Sequence, residues 1–598
     1  MLKQYSLNMK NFKKAFDEMI FSPSGFRKIF AKSKNEDSIE NEIGNEDKLL
    51  IALIIFTVSN YFKNESKPYI GVGLDSRPTG NIIAEITIKI LIKSKEKIKF
   101  FGILPITEIL AYTKNSKDSK GFIYISASHN PTGYNGIKIG LNDGGVLNSA
   151  KTHEIIKQIK NNSQNKKLIN HLINTLNNFD EDKSDLKCYN KTIKLEIKNK
   201  NQSYEAYKSL IHEIAYENDI NNKNIEILKK RIIKNPIGII AEMNGSSRIN
   251  SIDKELIESL GLKIELYNDK IGIFKHNIIP EGKSLNECKK ILQKKYIKDN
   301  SFELGYVPDC DGDRGNLVFI DKVTKTANII EAQKIFALVA ISELSYLYYK
   351  GIKNNIAIVT NDATSLNIEK IANFFNAKVY RVEVGEANLT EMADDLRAQG
   401  LIVKISGEGS NGGCIIHPSR VRDPITTLLS IVKLLKMKEL YQIWCKLSKN
   451  YYKEKYNLKD ILNTINFYSN VIVSSKKANL TNLKIENQEI LKSNYENLLI
   501  KEIKSNKLFQ ELSIVDYEII NYEGKRQTKI RTGDASGGFK VLLKTNKEIV
   551  ATLWMRISKT EPVTRVLSEV IYTKRNILLK LLEFNKSLIK KANLPHNN

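Results

Sequence analysis

One local grammar recurs along the chain and restricts the folds open to it: a short apolar run, a polar turn rich in Gly, Asp, Asn and Ser, then a stretch of helical period. The run from Tyr69 to Asp75 precedes SRPTG and a helix, Gly238 to Asn244 precedes GSSR and a helix, and Ile356 to Thr360 precedes NDATS and a helix. A strand that feeds a helix through a tight turn is the unit of α/β architecture, and its recurrence predicts several domains of one design. At 598 residues, with 41% hydrophobic and 27% charged, the chain is too long for a single core, so three or four domains are expected. Between about 155 and 235, and again from about 446 to 510, the sequence turns polar and rich in Lys and Asn, with helical patches, and reads as a linker and insertions. The ends, before Phe21 and after about Lys590, read as loosely ordered.

Composition removes several function classes. The five cysteines (Cys188, Cys288, Cys310, Cys414, Cys445) are scattered without a CxxC pair, against a disulfide framework or a thiolate zinc site and in favour of a reducing compartment. The N-terminal segment lacks the apolar core of a signal peptide and reads as an amphipathic helix, which predicts a cytoplasmic protein. Leu49 to Phe62, the most apolar stretch, falls short of the ~20 residues that span a bilayer and predicts a buried helix. The net charge of +26 is spread over a chain rich in Lys, Asn and Ile, with no basic stripe interleaved with aromatics. No nucleic-acid or membrane partner is therefore expected, and the charge would serve to attract a small anionic ligand.

Four motifs could carry chemistry. In Tyr124-Ile-Ser-Ala-Ser-His-Asn-Pro-Thr-Gly-Tyr-Asn-Gly-Ile-Lys138, an apolar strand stops at a turn that projects Ser128 with His129 and Lys138 close by. A serine so placed suits a nucleophile or phosphate carrier, and a polar β-turn would use the same residues. It is not a GxSxG elbow. In Val307-Pro-Asp-Cys-Asp-Gly-Asp-Arg314, Asp309, Asp311 and Asp313 alternate beside Arg314. Three such carboxylates repel unless a cation sits among them, and oxygen ligation suits a hard divalent ion such as Mg²⁺. Arg314 and Ile320 stand where an EF-hand needs glycine and glutamate, which excludes a calcium sensor. Ile405-Ser-Gly-Glu-Gly-Ser-Asn-Gly-Gly413 offers Glu408, Ser410 and Asn411 to sugar hydroxyls, although a tight solvent loop has the same composition. Arg556-Ile-Ser-Lys-Thr-Glu-Pro-Val-Thr-Arg565 gathers Arg556, Ser558, Thr560 and Arg565, the inventory for a phosphate dianion or for an exposed polar turn. Walker loops and HExxH helices are absent.

In this order the four motifs resemble those of the α-D-phosphohexomutase family: SASHNPTGYNGIK its phosphoserine loop, DCDGDR its magnesium loop, SGEGSNGG its sugar loop and RISKTEPVTRV its C-terminal phosphate loop. SPSGFR, ending at Arg27, and GLDSR, ending at Arg77, extend the resemblance to most of the chain from about Phe21 to Val570. The resemblance implies three related α/β domains and a smaller C-terminal α+β domain around a central cleft, here placed at 1–215, 216–335, 336–430 and 431–598. It implies that Ser128 carries the phosphoryl group and that Asp309, Asp311 and Asp313, with Ser128, hold Mg²⁺. His129, Lys138 and Arg314 would assist proton transfer. Arg27, Glu408, Ser410, Asn411, Arg556, Ser558, Thr560 and Arg565 would bind substrate. A hexose 1,6-bisphosphate would be intermediate and activator, the partners would be small sugar phosphates, and the protein would be a monomer or weak dimer.

The sequence departs from the family in SPSGFR where an FGT-type opening is usual, in Lys559 where glycine is common, and in a sugar loop without the histidine of the GExSGH version. The expected reaction is interconversion of hexose 1-phosphate and hexose 6-phosphate, of glucose or mannose, with glucosamine the alternative within the family. Two readings of other kinds stay open. One is a haloacid-dehalogenase-type phosphatase with Asp309 as nucleophile, although Asp313 stands where that motif wants Thr or Val. The other is a catalytically silent sugar-phosphate-binding protein.

Overall fold

The computed structural model describes residues 9–22, 25–216, 223–409, 412–474, 480, 488–528, 537–557 and 564–593. The chain forms two compact units, 1–330 with 413–437, and 331–412 with 438–598.

The first unit holds two sheets. In the first, Tyr69–Leu74 lies parallel to both Lys97–Ile103 and Ser119–Ile125, and the chain then turns back through the antiparallel strand Tyr134–Leu141 toward Gly25–Ile29 and Ile20–Ser22. Helix Asn45–Phe62 packs on it; its Leu, Ile, Val and Phe residues from Leu49 to Phe62 are buried apart from the half-buried Phe56, the helix expected there. In the second sheet Gly238–Glu242 is parallel to Lys263–Tyr267 and Phe302–Pro308, and Gly315–Asp321 and Thr326–Ile329 extend it antiparallel. In both sheets an antiparallel hairpin closes a parallel core, so the turn at the hairpin projects from the same sheet end as the parallel strands' C-termini.

The second unit begins with a parallel sheet in which Ile356–Asn361 lies between Lys378–Val382 and Ile402–Gly407. Its last sheet is antiparallel, in the order Tyr468–Ser474, Thr564–Ile571, Ile549–Ile557, Phe539–Lys544, Asp516–Glu523 and Arg526–Thr528. Sheets with parallel strands at their centres and one antiparallel sheet make up the mixed, multidomain α/β architecture expected. Among the described residues no helix is long and apolar enough to cross a membrane.

The polar stretches are more structured than their composition suggests. From Ser149 to Lys234 the described residues are nearly all helical: Ser149–Ser163, Lys166–Asn178, Lys183–Lys194, Glu196–Tyr216 and Lys223–Lys234. The polar residues that looked like linker are caps, because Asn148, Asn165 and Asp182 each accept the N–H of a first-turn residue. The apolar residues among them lie on one face, so that Ile155, Ile159, Ile169, Leu172, Tyr207 and Ile211 are buried. In the second stretch, Tyr468–Ser474 is a strand of the last sheet, and Leu491, Tyr495 and Leu499 of helix Gln488–Ser505 share a core with Leu581 and Leu588 of helix Leu578–Ala592. Near the N-terminus, helix Met9–Asp17 buries Phe12 and Ala15, so order begins before Phe21.

Candidate active site

Strand Ser119–Ile125 is buried along its whole length, and at its C-terminal end the chain turns so that Ser128 takes φ +53°, the left-handed region. A side chain that is not glycine stays there only where its surroundings over-determine it. They do. The Ser128 N–H donates to Ser126 Oγ at 2.8 Å, and the carbonyls of Ser128, Asn130 and Tyr134 accept from Arg77 at 2.7, 2.6 and 3.0 Å. Arg77 is fixed in turn by Asp75, whose Oδ2 accepts from Nε at 3.1 Å. Burial pushes the Asp75 carboxyl above its ordinary range, with Arg77 opposing. The return strand Tyr134–Leu141 sets Lys138 opposite Tyr124. Arg27, also buried, lies on the next strand opposite Gly136, and His129 is half-buried one residue beyond Ser128.

The aspartate turn joins strands Phe302–Pro308 and Gly315–Asp321. Gly312 has φ +73°, and a Cβ there would meet Arg248 Cγ at 2.5 Å, so both conformation and space demand glycine. Asp309 folds back on its own turn, its Oδ1 accepting the N–H groups of Gly312 and Arg314 at 3.0 and 3.2 Å. Its Oδ2 accepts the Ser128 hydroxyl at 3.3 Å. Asp311 Oδ2 accepts from Ser126 Oγ at 3.1 Å and pairs with Lys138 Nζ. Asp313 Oδ2 pairs with Arg422 at 2.8 Å, and Arg314 Nε stands 3.9 Å from Asp313 Oδ1.

One oxygen from each aspartate lies within 4.8 Å of the others, and the three residues are 1%, 0% and 2% exposed. Burial, then repulsion from Asp311 and Asp313, pushes the Asp309 carboxyl far above its ordinary value. Burial also acts on Asp313, but Arg422, Lys138 and Arg314 outweigh it and hold that carboxyl low. Among the described residues, Asp311 Oδ1 and Asp313 Oδ1 are buried with no hydrogen-bond partner. Buried carboxylate oxygens without donors, on residues that bring one oxygen each into a single cluster, fit a hard divalent cation.

The second unit holds the other predicted residues that the structure describes. Glu408, at the end of strand Ile402–Gly407, is buried and accepts the Gly385 N–H at 3.1 Å. Arg556 and Arg565 sit directly opposite each other on neighbouring strands. Like charges so paired are unfavourable without a counter-ion, and Glu383 stands 3.6 Å from Arg556. Ser410, Asn411, Ser558 and Thr560 lie outside the described residues.

The sequence reading missed three supports of this geometry. Arg422 lies 109 residues from the Asp313 it grips, and no local pattern marks it beyond the basic run Arg420-Val-Arg422. Arg77 is marked in the sequence only as the end of GLDSR. Ser126 belongs to the serine motif, but the bond it makes to Asp311 is tertiary.

Residues 31–166 match the model for phosphoglucomutase/phosphomannomutase, alpha/beta/alpha domain I, and residues 332–451 that for domain III. A phosphoglucosamine mutase of Prochlorococcus marinus strain AS9601 is 27% identical over 81% of this chain and 92% of its own length. A phosphoglucomutase/phosphomannomutase of Thermococcus kodakarensis is 27% identical over 68% of this chain and 77% of its own. Among solved structures, the open form of the Paramecium phosphoprotein parafusin superposes with a TM-score of 0.62 at 15% identity, covering 96% of this chain and 95% of that one. A serine turn set against an aspartate triad, two matched domain models and relatives that share most of their length place the chain in the α-D-phosphohexomutase family, whose members are isomerase-class phosphotransferases.

Proposed function

We propose that the chain interconverts hexose 1-phosphate and hexose 6-phosphate, of glucose or mannose or both, through a phosphorylated Ser128. One observation carries the reading: the Ser128 hydroxyl, presented on a left-handed residue, is held 3.3 Å from Asp309 within a buried carboxylate triad. A divalent cation such as Mg²⁺, held by Asp309, Asp311 and Asp313, would supply neutralisation of charge on the transferring phosphoryl oxygens. Lys138, paired with Asp311, adds charge to the triad that holds Ser128. Arg314 adds charge beside Asp313, and His129, of the side-chain type suited to proton transfer near neutrality, takes the proton.

In the forward half-reaction the free hydroxyl of the sugar phosphate bonds to phosphorus as the Ser128 Oγ–P bond breaks, and the hydroxyl proton passes to the protein. The hexose 1,6-bisphosphate so formed then returns its other phosphate to Ser128 Oγ, and the proton goes to the oxygen left behind. Glu408 is offered to sugar hydroxyls, and the facing pair Arg556 and Arg565 to the phosphate that is not reacting. We take each of the four sheets as the centre of one domain, at 1–215, 216–335, 336–430 and 431–598. Relatives named phosphoglucosamine mutase support glucosamine phosphate as a second substrate reading.

The test is peptide mass spectrometry before and after incubation with glucose 1,6-bisphosphate. Phosphate on Ser128, absent in Ser128→Ala, is the expected result, and its absence under every condition overturns the mechanism. Phosphorus NMR with the 1-phosphates of glucose, mannose and glucosamine then ranks the substrates.

A further inference from the structure

The GSSR turn that follows strand Gly238–Glu242 is absorbed by none of the roles above, yet each of its last three residues grips the aspartate turn. Ser246 Oγ donates to the Asp309 carbonyl at 2.6 Å. Ser247 donates to the Cys310 carbonyl twice, from Oγ at 2.8 Å and from its N–H at 3.0 Å. Arg248 Nη1 donates to the Gly312 carbonyl at 2.9 Å. The remaining carbonyl, of Asp311, accepts the Ile106 N–H at 2.9 Å. The carbonyls of Asp309, Cys310, Asp311 and Gly312 are thus each engaged by a protein donor, which favours the carboxylates of this turn as cation ligands.

Arg248 is wholly buried. Its Nε and Nη2 hold Asp253 at 2.8 and 3.0 Å, Nη2 also donates to Tyr207 OH at 3.0 Å, and Nη1 stands 3.4 Å from Asp423. Tyr207 OH donates to Asp423 Oδ2 at 2.5 Å, and Asp423 caps helix Pro424–Lys436 through the Ile425 N–H at 2.9 Å. Asp423 directly follows Arg422, the partner of Asp313. One planar guanidinium, with five donors in fixed directions, therefore reaches the aspartate turn from two sides: through the Gly312 carbonyl between Asp311 and Asp313, and through the chain that carries Arg422.

We propose that Ser246, Ser247 and above all Arg248 are positioning residues for the cation site, holding the aspartate turn so that it presents its carboxylates. This rests on the reading of the triad as a metal site. Residues that orient ligands from behind typically set metal affinity by 10- to 100-fold, and a loss in that range is expected here.

The experiment uses the full-length protein and Mn²⁺ as probe, with binding read directly by electron paramagnetic resonance. Wild type, Asp311→Asn, Arg248→Lys and the double variant Ser246→Ala/Ser247→Ala are compared, with circular dichroism and melting in chelator recorded for each. Arg248→Lys keeps the charge but cannot reach Gly312, Asp253 and Tyr207 together. The serine variant removes only two hydroxyls and serves if Arg248→Lys does not fold. About tenfold or greater weakening of Mn²⁺ binding in a folded variant, with sugar-phosphate KM little changed at saturating metal, supports the proposal. Variants that melt lower but bind Mn²⁺ as the wild type does overturn it and leave the turn a purely structural support. A wild type that binds no Mn²⁺, or binds it no better than Asp311→Asn, overturns the metal reading itself and this inference with it.

Discussion

Asp309→Asn should stabilise the metal-free protein while abolishing its response to metal. Among the described residues Asp309 has only the Gly312 and Arg314 N–H groups and the Ser128 hydroxyl as hydrogen-bond partners, whereas Asp311 has Lys138 and Asp313 has Arg422. Like charges within 4.8 Å of one another repel by about 3 kcal/mol at an effective dielectric of ~20. The cations nearby return much of that, and the raised Asp309 carboxyl relieves more by holding its proton, so the net cost of Asp309 without metal is on the order of 1–2 kcal/mol. Asparagine is isosteric: its Oδ1 can keep both backbone donors, and its amide can donate to Ser128 Oγ. In chelator the variant should therefore melt a few degrees above wild type, at roughly 2–4 °C per kcal/mol for a large unit. With Mg²⁺ at a hundredfold excess over its dissociation constant, wild type gains about 2.7 kcal/mol and the order reverses. Differential scanning calorimetry of both proteins in chelator and in Mg²⁺ reads all four states. A variant that melts below wild type in chelator, or that Mg²⁺ stabilises equally, would refute the account of Asp309 as the uncompensated charge of the triad.

Two further outcomes follow from buried carboxyls elsewhere. Trp554→Phe removes the Nε1 donor that Asp362 Oδ2 accepts at 2.9 Å beneath the last sheet, and should cost about 2–3 kcal/mol, seen as a lower urea midpoint. Burial pushes the Asp423 carboxyl up to about 6, with Arg248 opposing, so the folded state holds its proton over a range in which the unfolded chain has lost it. This group therefore favours folding most at acid pH and loses up to ~3 kcal/mol of that advantage as pH rises from about 4 to 6. The stability difference between wild type and Asp423→Asn, followed by urea denaturation, should fall with rising pH across that window and be flat above it.

What could be read from the sequence is what local spacing encodes. Alternating aspartates after an apolar strand repel wherever they fold, so the cation reading needed no tertiary knowledge, and Ser128 was marked by an apolar strand ending at a polar turn. Arg422 carried no such mark, because its meaning is a bond to a residue 109 positions away. The polar stretches misled for a related reason. Asparagine and aspartate lower average hydropathy whether they fill a linker or cap a helix, and only position separates the two: Asn165 stands before Leu168, Ile169 and Leu172, and Asp182 before a helix that starts at Lys183.

Arg248 is the case where even the right motif stayed silent. GSSR was visible as a turn after a strand, but which carbonyls its donors meet depends on a neighbouring hairpin more than 60 residues on, at Asp309, Cys310 and Gly312. The chemistry of the aspartate turn is thus written in two places. The carboxylates are local, and the donors that hold the turn's backbone oxygens come from the turn after a different strand of the same sheet. A variant that keeps DCDGDR intact but breaks GSSR separates the two, which is why metal binding in Arg248→Lys bears on how the site is built more directly than any change to the aspartates.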